Sequence, residues 1–130
     1  MKFKELQEDI HKNAIDHGWW EEERGFGELI ALCHSELSEA LEEYRNGHPP
    51  NETYYNCNSH DPFYECKAVD YGTCAGCEYA KPEGIPTELA DVVIRIMDMC
   101  GRYGIDLESV INEKHEYNKG REYKHGGKKI

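Results

Sequence analysis

The sequence predicts an all-α fold: a four-helix bundle forming one domain over residues 1–130, with a cysteine-rich insertion between its second and third helices. Two observations predict it. Four stretches carry apolar residues at helical spacing, with capping residues or glycines at their ends. The intervening segment 48–84 lacks that period and holds four of the six cysteines. Because the other connections are short, an antiparallel bundle is favoured.

The first two helices are predicted over 3–16 and 26–46, and Gly18 and Gly47 follow their ends. In each stretch the apolar side chains fall on one face of the helix. These apolar positions are Phe3, Leu6, Ile10 and Ala14 in the first helix and Leu29, Cys33, Leu37, Ala40, Leu41 and Tyr44 in the second.

The third helix is expected to begin after Pro86, with Thr87 as its cap, and to end within 101–104. Its apolar residues surround the axis almost completely, so we expect it to be buried on all sides. They are Leu89, Val92, Val93, Ile94, Ile96, Met97 and Met99. The fourth helix opens at Asp106, a candidate cap, and runs to about Gly120.

Composition excludes several classes of partner. The formal net charge of −11 repels nucleic-acid phosphates, whereas a bound divalent cation would still allow a free nucleotide to bind. No run of about 18 apolar residues indicates a membrane span, and the N-terminus lacks an apolar signal core. We therefore expect a cytoplasmic protein with neither nucleic acid nor membrane as its partner.

Two pairs of carboxylates are the candidate metal ligands. Glu36 and Glu39 lie three residues apart on the second helix, as Glu88 and Asp91 do on the third. Residues at this spacing share a helix face, and carboxylate oxygens suit magnesium. Among 26 acidic residues such pairs also arise by chance. A buried third helix would carry its pair into the interior, which favours a metal over structural salt bridges, for example with Arg95.

Several motifs together resemble the MazG-like, all-alpha nucleotide pyrophosphohydrolases. They are Gly-Trp-Trp at 18–20, His-Ser-Glu-Leu-Ser-Glu-Ala-Leu-Glu-Glu-Tyr-Arg at 34–45, Glu-Leu-Ala-Asp-Val-Val-Ile-Arg at 88–95, Gly-Ile-Asp-Leu at 104–107 and Lys-His-Glu-Tyr-Asn-Lys-Gly-Arg at 114–121. The resemblance implies a bundle of that type. It also implies hydrolysis of a (deoxy)nucleoside triphosphate or related nucleotide to monophosphate and pyrophosphate.

The resemblance also assigns roles to individual residues. Glu36, Glu39, Glu88 and Asp91 would hold Mg²⁺, with Mn²⁺ as a substitute, and a metal-activated water would attack the substrate. Glu43 extends the face of Glu36 and Glu39, so all three are catalytic candidates, Glu43 as a further ligand or as a base. The family further implies a homodimer or homotetramer.

Substrate contacts are predicted at the fourth helix and before the second. Lys114, Asn118 and Arg121 match family positions that reach substrate phosphates, although a basic helix end would also interact favourably with the helix dipole. Trp19 is a candidate for stacking on the base, or for covering the core or a subunit interface. Trp20 is expected to be structural.

The insertion carries Cys57, Cys66, Cys74 and Cys77, of which the last two form a Cys-x-x-Cys pair. Four thiolates suit a structural Zn²⁺, which would order a long loop without helices. The first gap is wider than usual, and His60 is a substitute ligand. Two disulfides, an iron–sulfur cluster and free thiols are the alternatives.

Two competing functions remain open. A zinc-stapled helical interaction module would use its carboxylates only for solvation or ion pairs. A di-iron carboxylate bundle needs two Glu-x-x-His motifs on different helices. The chain offers one, from Glu8 to His11.

Overall fold

Helices dominate the computed structural model, which describes residues 2–57, 70 and 80–123. The elements are α1 (Phe3–Asp16), α2 (Phe26–Arg45), β1 (Tyr54–Asn56), β2 (Lys81–Glu83), α3 (Ile85–Tyr103) and α4 (Leu107–Lys119). Within these described residues, the prediction of a mainly α-helical chain with four helices is confirmed. The small sheet was not predicted, and the MazG-like type of the bundle stays a prediction.

The helix ends follow local chemistry. Asp106 caps α4 as predicted, because its side chain accepts hydrogen bonds from the backbone N–H of Ser109 at 3.3 Å and from its hydroxyl at 2.8 Å. Helix α3 begins at Ile85, earlier than expected, so Thr87 lies inside the first turn. Pro86 fits there since first-turn N–H groups have no partner within the helix.

Strands β1 and β2 pair in antiparallel register, Tyr54 with Glu83 and Asn56 with Lys81. The ladder joins the two ends of the predicted insertion. Just beyond it, Cys57 and Ala80 are buried. No sequence pattern indicates this sheet, because strands of three residues are too short to display an alternating pattern.

Gly84 makes the turn from β2 into α3. Its φ is +113°, a backbone conformation that favours glycine, and a Cβ there would overlap the carbonyl oxygen of Glu52. Its own carbonyl accepts the backbone N–H of Glu88 at 3.0 Å, which starts the helix. This turn therefore sets where α3 begins relative to the sheet.

The chain divides into two compact units, each described by itself. The first unit comprises Met1–Glu23 and Met97–Ile130, and the second comprises Arg24–Ile96. The prediction of a single domain is not tested by this division. Among the described residues, no helix has both the length and the apolarity needed to cross a membrane.

A buried carboxylate connects α1 and α3 in the first unit. Asp98 is 8% exposed, and its Oδ1 accepts hydrogen bonds from His11 Nδ1 at 2.7 Å and from Trp20 Nε1 at 2.9 Å. The guanidinium of Arg102 lies 5.2 Å from the centre of the Trp20 ring. Trp20 therefore makes side-chain contacts within the first unit, and the expectation that its role is structural stays a prediction.

The helix α3 is less buried than its all-round apolar sequence predicts. Met97, Met99 and Cys100 are buried, but Leu89, Val93 and Ile94 are 46%, 49% and 43% exposed. The expectation that α3 is buried on all sides is therefore wrong for its first half in the single chain. On α2 the apolar side chains of Leu37, Leu41 and Tyr44 are exposed as well.

Candidate metal centre

Three of the four predicted magnesium ligands meet in the second unit. Glu36 on α2 and Glu88 and Asp91 on α3 each offer one carboxylate oxygen, and these oxygens lie within 4.8 Å of one another. The spacing of three residues places Glu88 and Asp91 on the same face of α3. We call Glu36, Glu88 and Asp91 the carboxylate cluster.

Glu39, the fourth predicted ligand, lies at the edge of the cluster. Glu39 is exposed and is not one of the three residues of the carboxylate cluster. It nevertheless lies near enough to Glu88 to share a hydrogen bond with it when one of the two carboxyl groups is protonated. One turn of α2 therefore brings both Glu36 and Glu39 to the face of α3 that carries the other two carboxylates.

Burial and mutual repulsion make Glu88 hard to ionise. The pKa of Glu88 is raised from 4.5 to about 7, first by burial, then by the hydrogen bond with Glu39 and by the charges of Glu39, Asp91 and Glu36. Burial also raises the pKa of Asp91, and the charge of Glu36 adds to this, while Arg95 and Lys81 oppose it. The cluster is thus short of positive charge.

One ion pair crosses the cluster. Arg95 Nε donates a hydrogen bond to Glu36 Oε1 at 2.8 Å, and the two side chains are 31% and 12% exposed. The salt bridge that the sequence offered as an alternative to a metal therefore forms. It engages one oxygen of Glu36 and coexists with the cluster of three carboxylates.

The donor set fits a hard divalent cation. Oε2 of Glu88 is buried and has no hydrogen-bond partner within the part of the chain that the structure describes. A buried polar atom without a partner is costly, and a cation would satisfy it. Oxygen ligands alone suit Mg²⁺ or Mn²⁺ better than a soft metal. Glu36, Glu88 and Asp91 could hold such an ion, with Glu39 beside them.

Glu43, a predicted catalytic residue, contacts Tyr54 and His48 in the second unit. The hydroxyl of Tyr54 is 2.9 Å from both Glu43 carboxylate oxygens, and His48 Nε2 lies 3.5 Å from Oε2. Burial, followed by the hydrogen bond with Glu43, raises the pKa of Tyr54 to about 12. Through its hydrogen bond with Tyr54, Glu43 thus connects α2 with β1. Its catalytic role stays a prediction. Sequence reasoning missed Tyr54 because only folding brings it to Glu43.

The predicted substrate contacts belong to the first unit. Lys114 Nζ lies 4.7 Å from the ring centre of Tyr117, and the guanidinium of Arg121 lies 5.9 Å from the same ring. Lys114 and Asn118 also line a groove of about 400 Å³ on α4. Trp19 is partly buried. The roles of these four residues in binding substrate stay predictions.

The predicted zinc site falls largely outside the described residues. Cys57 is described and is buried at the end of β1. Cys66, Cys74, Cys77 and the substitute ligand His60 are not among the described residues. Zinc binding by these cysteines therefore stays a prediction.

Comparisons with known proteins identify no relative. No protein-family model matches the chain, and no curated protein or solved structure matches it either. The MazG-like resemblance therefore rests on the motifs themselves.

The raised pKa of Glu88 predicts that the metal-free protein loses stability as pH rises. In the unfolded chain the pKa returns to near 4.5, whereas in the folded chain it is about 7. The stabilisation that Glu88 contributes is complete when the pH is below its pKa in the unfolded chain. It is lost as the pH rises through its pKa in the folded chain. We expect the free energy of unfolding to fall between about pH 5 and 8, by on the order of 1 kcal/mol after solvent screening.

Urea denaturation in EDTA across this pH range measures the effect. Glu88→Gln keeps the shape of the side chain without its titration, so its stability should fall less over the same range. Added Mg²⁺ should stabilise the wild type more at pH 8 than at pH 5, because ligands bind as carboxylates. Equal pH slopes for wild type and Glu88→Gln would contradict the assignment.

Proposed function

We propose that this chain is a magnesium-dependent nucleoside triphosphate pyrophosphohydrolase of the MazG-like type, acting in the cytoplasm on a free nucleotide. One observation carries the proposal: Glu36, Glu88 and Asp91 converge, and Oε2 of Glu88 is buried without a partner in the described part of the chain. Four carboxylates at or beside one point outnumber the two cationic side chains that act on them, Arg95 and Lys81. A divalent cation would compensate them, and a nucleotide polyphosphate is a substrate that binds through such a cation.

The chemistry divides between the ion and the side chains. When bound, Mg²⁺ would supply a more acidic water and neutralise charge on the phosphate oxygens. Water oxygen would bond to the α-phosphorus as the bond from that phosphorus to the bridging oxygen breaks, and pyrophosphate would leave. Glu39, exposed beside Glu88, would take the proton from the attacking water at a carboxylate oxygen.

The exposed apolar side chains support a homodimer or homotetramer. Leu37 and Leu41 on α2 and Leu89 and Val93 on α3 are each 46–50% exposed, at spacings that place each pair on one helix face. A second copy of the chain would cover these faces. Light scattering should give a mass at least twice that of one chain, and a monomer under assay conditions would contradict this proposal.

Pyrophosphate release tests the proposed reaction directly. A panel of ribonucleoside and deoxyribonucleoside triphosphates, including dUTP, is incubated with the protein in Mg²⁺, Mn²⁺ or EDTA. We expect equimolar monophosphate and pyrophosphate from at least one nucleotide, only when metal is present. Release of inorganic phosphate in place of pyrophosphate would contradict the bond assignment, and no release at all would contradict the reaction.

The Arg95–Glu36 ion pair favours one alternative. If the carboxylates of the cluster serve only in ion pairs such as this one, the protein is a helical binding module whose insertion is held together by zinc. Such a protein would contain zinc by elemental analysis and would bind neither Mn²⁺ nor nucleotide. A direct measurement of Mn²⁺ binding separates the two functions.

A further inference from the structure

Arg95 connects the two helices that supply the carboxylate cluster. It lies on α3, four residues after Asp91, and its Nε donates to Glu36 Oε1 on α2 at 2.8 Å. The side chain of Glu36 is only 12% exposed, so this hydrogen bond lies out of bulk water, where it is stronger. Arg95 also lowers the pKa of Asp91 through its charge.

The hydrogen bond restricts how Glu36 can present its carboxylate. A glutamate side chain has several rotatable bonds and would otherwise sample many orientations. With Oε1 engaged by a guanidinium from α3, the Glu36 carboxylate is directed toward the helix that carries Glu88 and Asp91. An ion could bind Glu36 through its other oxygen, and hydrogen-bonded carboxylates are common among metal ligands.

We propose that Arg95 is a positioning residue of the metal centre, which holds Glu36 in its ligating orientation and keeps the three carboxylates together before the ion binds. This inference rests on the metal site of the proposed function, although it does not require that the substrate be a nucleotide. From the sequence, Arg95 was considered only as the partner in a salt bridge that would replace the metal. The inference gives it a role in binding the metal.

The charge of Arg95 gives the opposite expectation, which makes the proposal testable. If Arg95 acted only through its charge, it would repel a divalent cation, and removing it would tighten metal binding. If Arg95 orients a ligand, removing it weakens binding, and outer-shell partners of metal ligands typically contribute about 10–100-fold in affinity. The sign of the change therefore separates positioning from simple repulsion.

The experiment measures Mn²⁺ affinity by calorimetry and by electron paramagnetic resonance on the full-length protein. We expect Arg95→Gln to bind Mn²⁺ about 10–100-fold more weakly than wild type. Arg95→Lys keeps the positive charge and the ability to donate a hydrogen bond to Glu36, so it should lose less affinity. Arg45→Gln is the matched control, because Arg45 is an exposed arginine on α2 whose contact with Glu42 is 3.9 Å long. Its affinity should not change.

A double-mutant cycle tests whether Arg95 acts through Glu36. Once Glu36→Gln has removed the ligand, adding Arg95→Gln should weaken Mn²⁺ binding little further. Unchanged or tighter binding by a folded Arg95→Gln protein would overturn the proposal, and pyrophosphate release by the wild type would still stand. If the wild type itself bound no Mn²⁺, the metal centre and this inference would both be wrong.

Discussion

Asp91→Asn should lower magnesium-dependent pyrophosphate release on the order of 10³-fold, since it removes a charged ligand from the point where charge develops in the reaction. The substitution preserves shape, and Asp91 is only partly buried, so the fold should survive. Glu36→Gln should have a comparable effect. The measurement is the rate of pyrophosphate release at saturating nucleotide, at several Mg²⁺ concentrations.

Glu42→Gln is the matched control for this experiment. Glu42 lies on α2 between the predicted catalytic residues, but its side chain is 63% exposed and its contact is with Arg45 at 3.9 Å. It should retain nearly wild-type activity. If Asp91→Asn stayed within a few-fold of wild type, or if Glu42→Gln fell with it, the carboxylate cluster would not be the catalytic centre.

Asp98→Ala should lower the free energy of unfolding by about 2–4 kcal/mol. Asp98 is buried, and its Oδ1 accepts from both His11 and Trp20. Alanine would remove this acceptor from both N–H groups and leave a small cavity between the side chains. Urea denaturation monitored by tryptophan fluorescence reports the change, because Trp20 is one of the two partners.

A second aspartate provides the comparison. Asp9 is exposed on α1, so Asp9→Ala should change stability by less than about 0.5 kcal/mol. Asp98→Asn keeps one acceptor oxygen and should fall between the two. If Asp98→Ala were no worse than Asp9→Ala, the buried hydrogen bonds would contribute nothing measurable to the stability of the first unit.

Local signals predicted the helices well because those signals are themselves short in range. The first helix matches its predicted bounds, and the cap at Asp106 needs only a side chain and a backbone N–H three residues away. The spacing of Glu88 and Asp91 likewise places both on one face without tertiary information. The sequence also predicted that Glu36 would meet this pair. One oxygen from each of the three residues lies within 4.8 Å of the others, and their role as metal ligands stays a prediction.

What the sequence did not predict depends on residues far apart in the chain. The partner of Tyr54 on α2 and the register between β1 and β2 follow from tertiary folding, for which no local pattern exists. The exposure of Leu89 and Val93 was missed for another reason. An apolar helix predicts burial, but it does not say whether the same chain or a second copy provides the cover.

The ladder between β1 and β2 also makes the protein modular. Strand β1 ends at Asn56 and strand β2 begins at Lys81, and these two residues are paired directly across the sheet. Evolution could therefore lengthen, shorten or replace what lies between them without changing where α2 ends or α3 begins. An engineer could do the same, exchanging residues 58–79 for a short turn or for a foreign peptide while the carboxylate cluster keeps its scaffold.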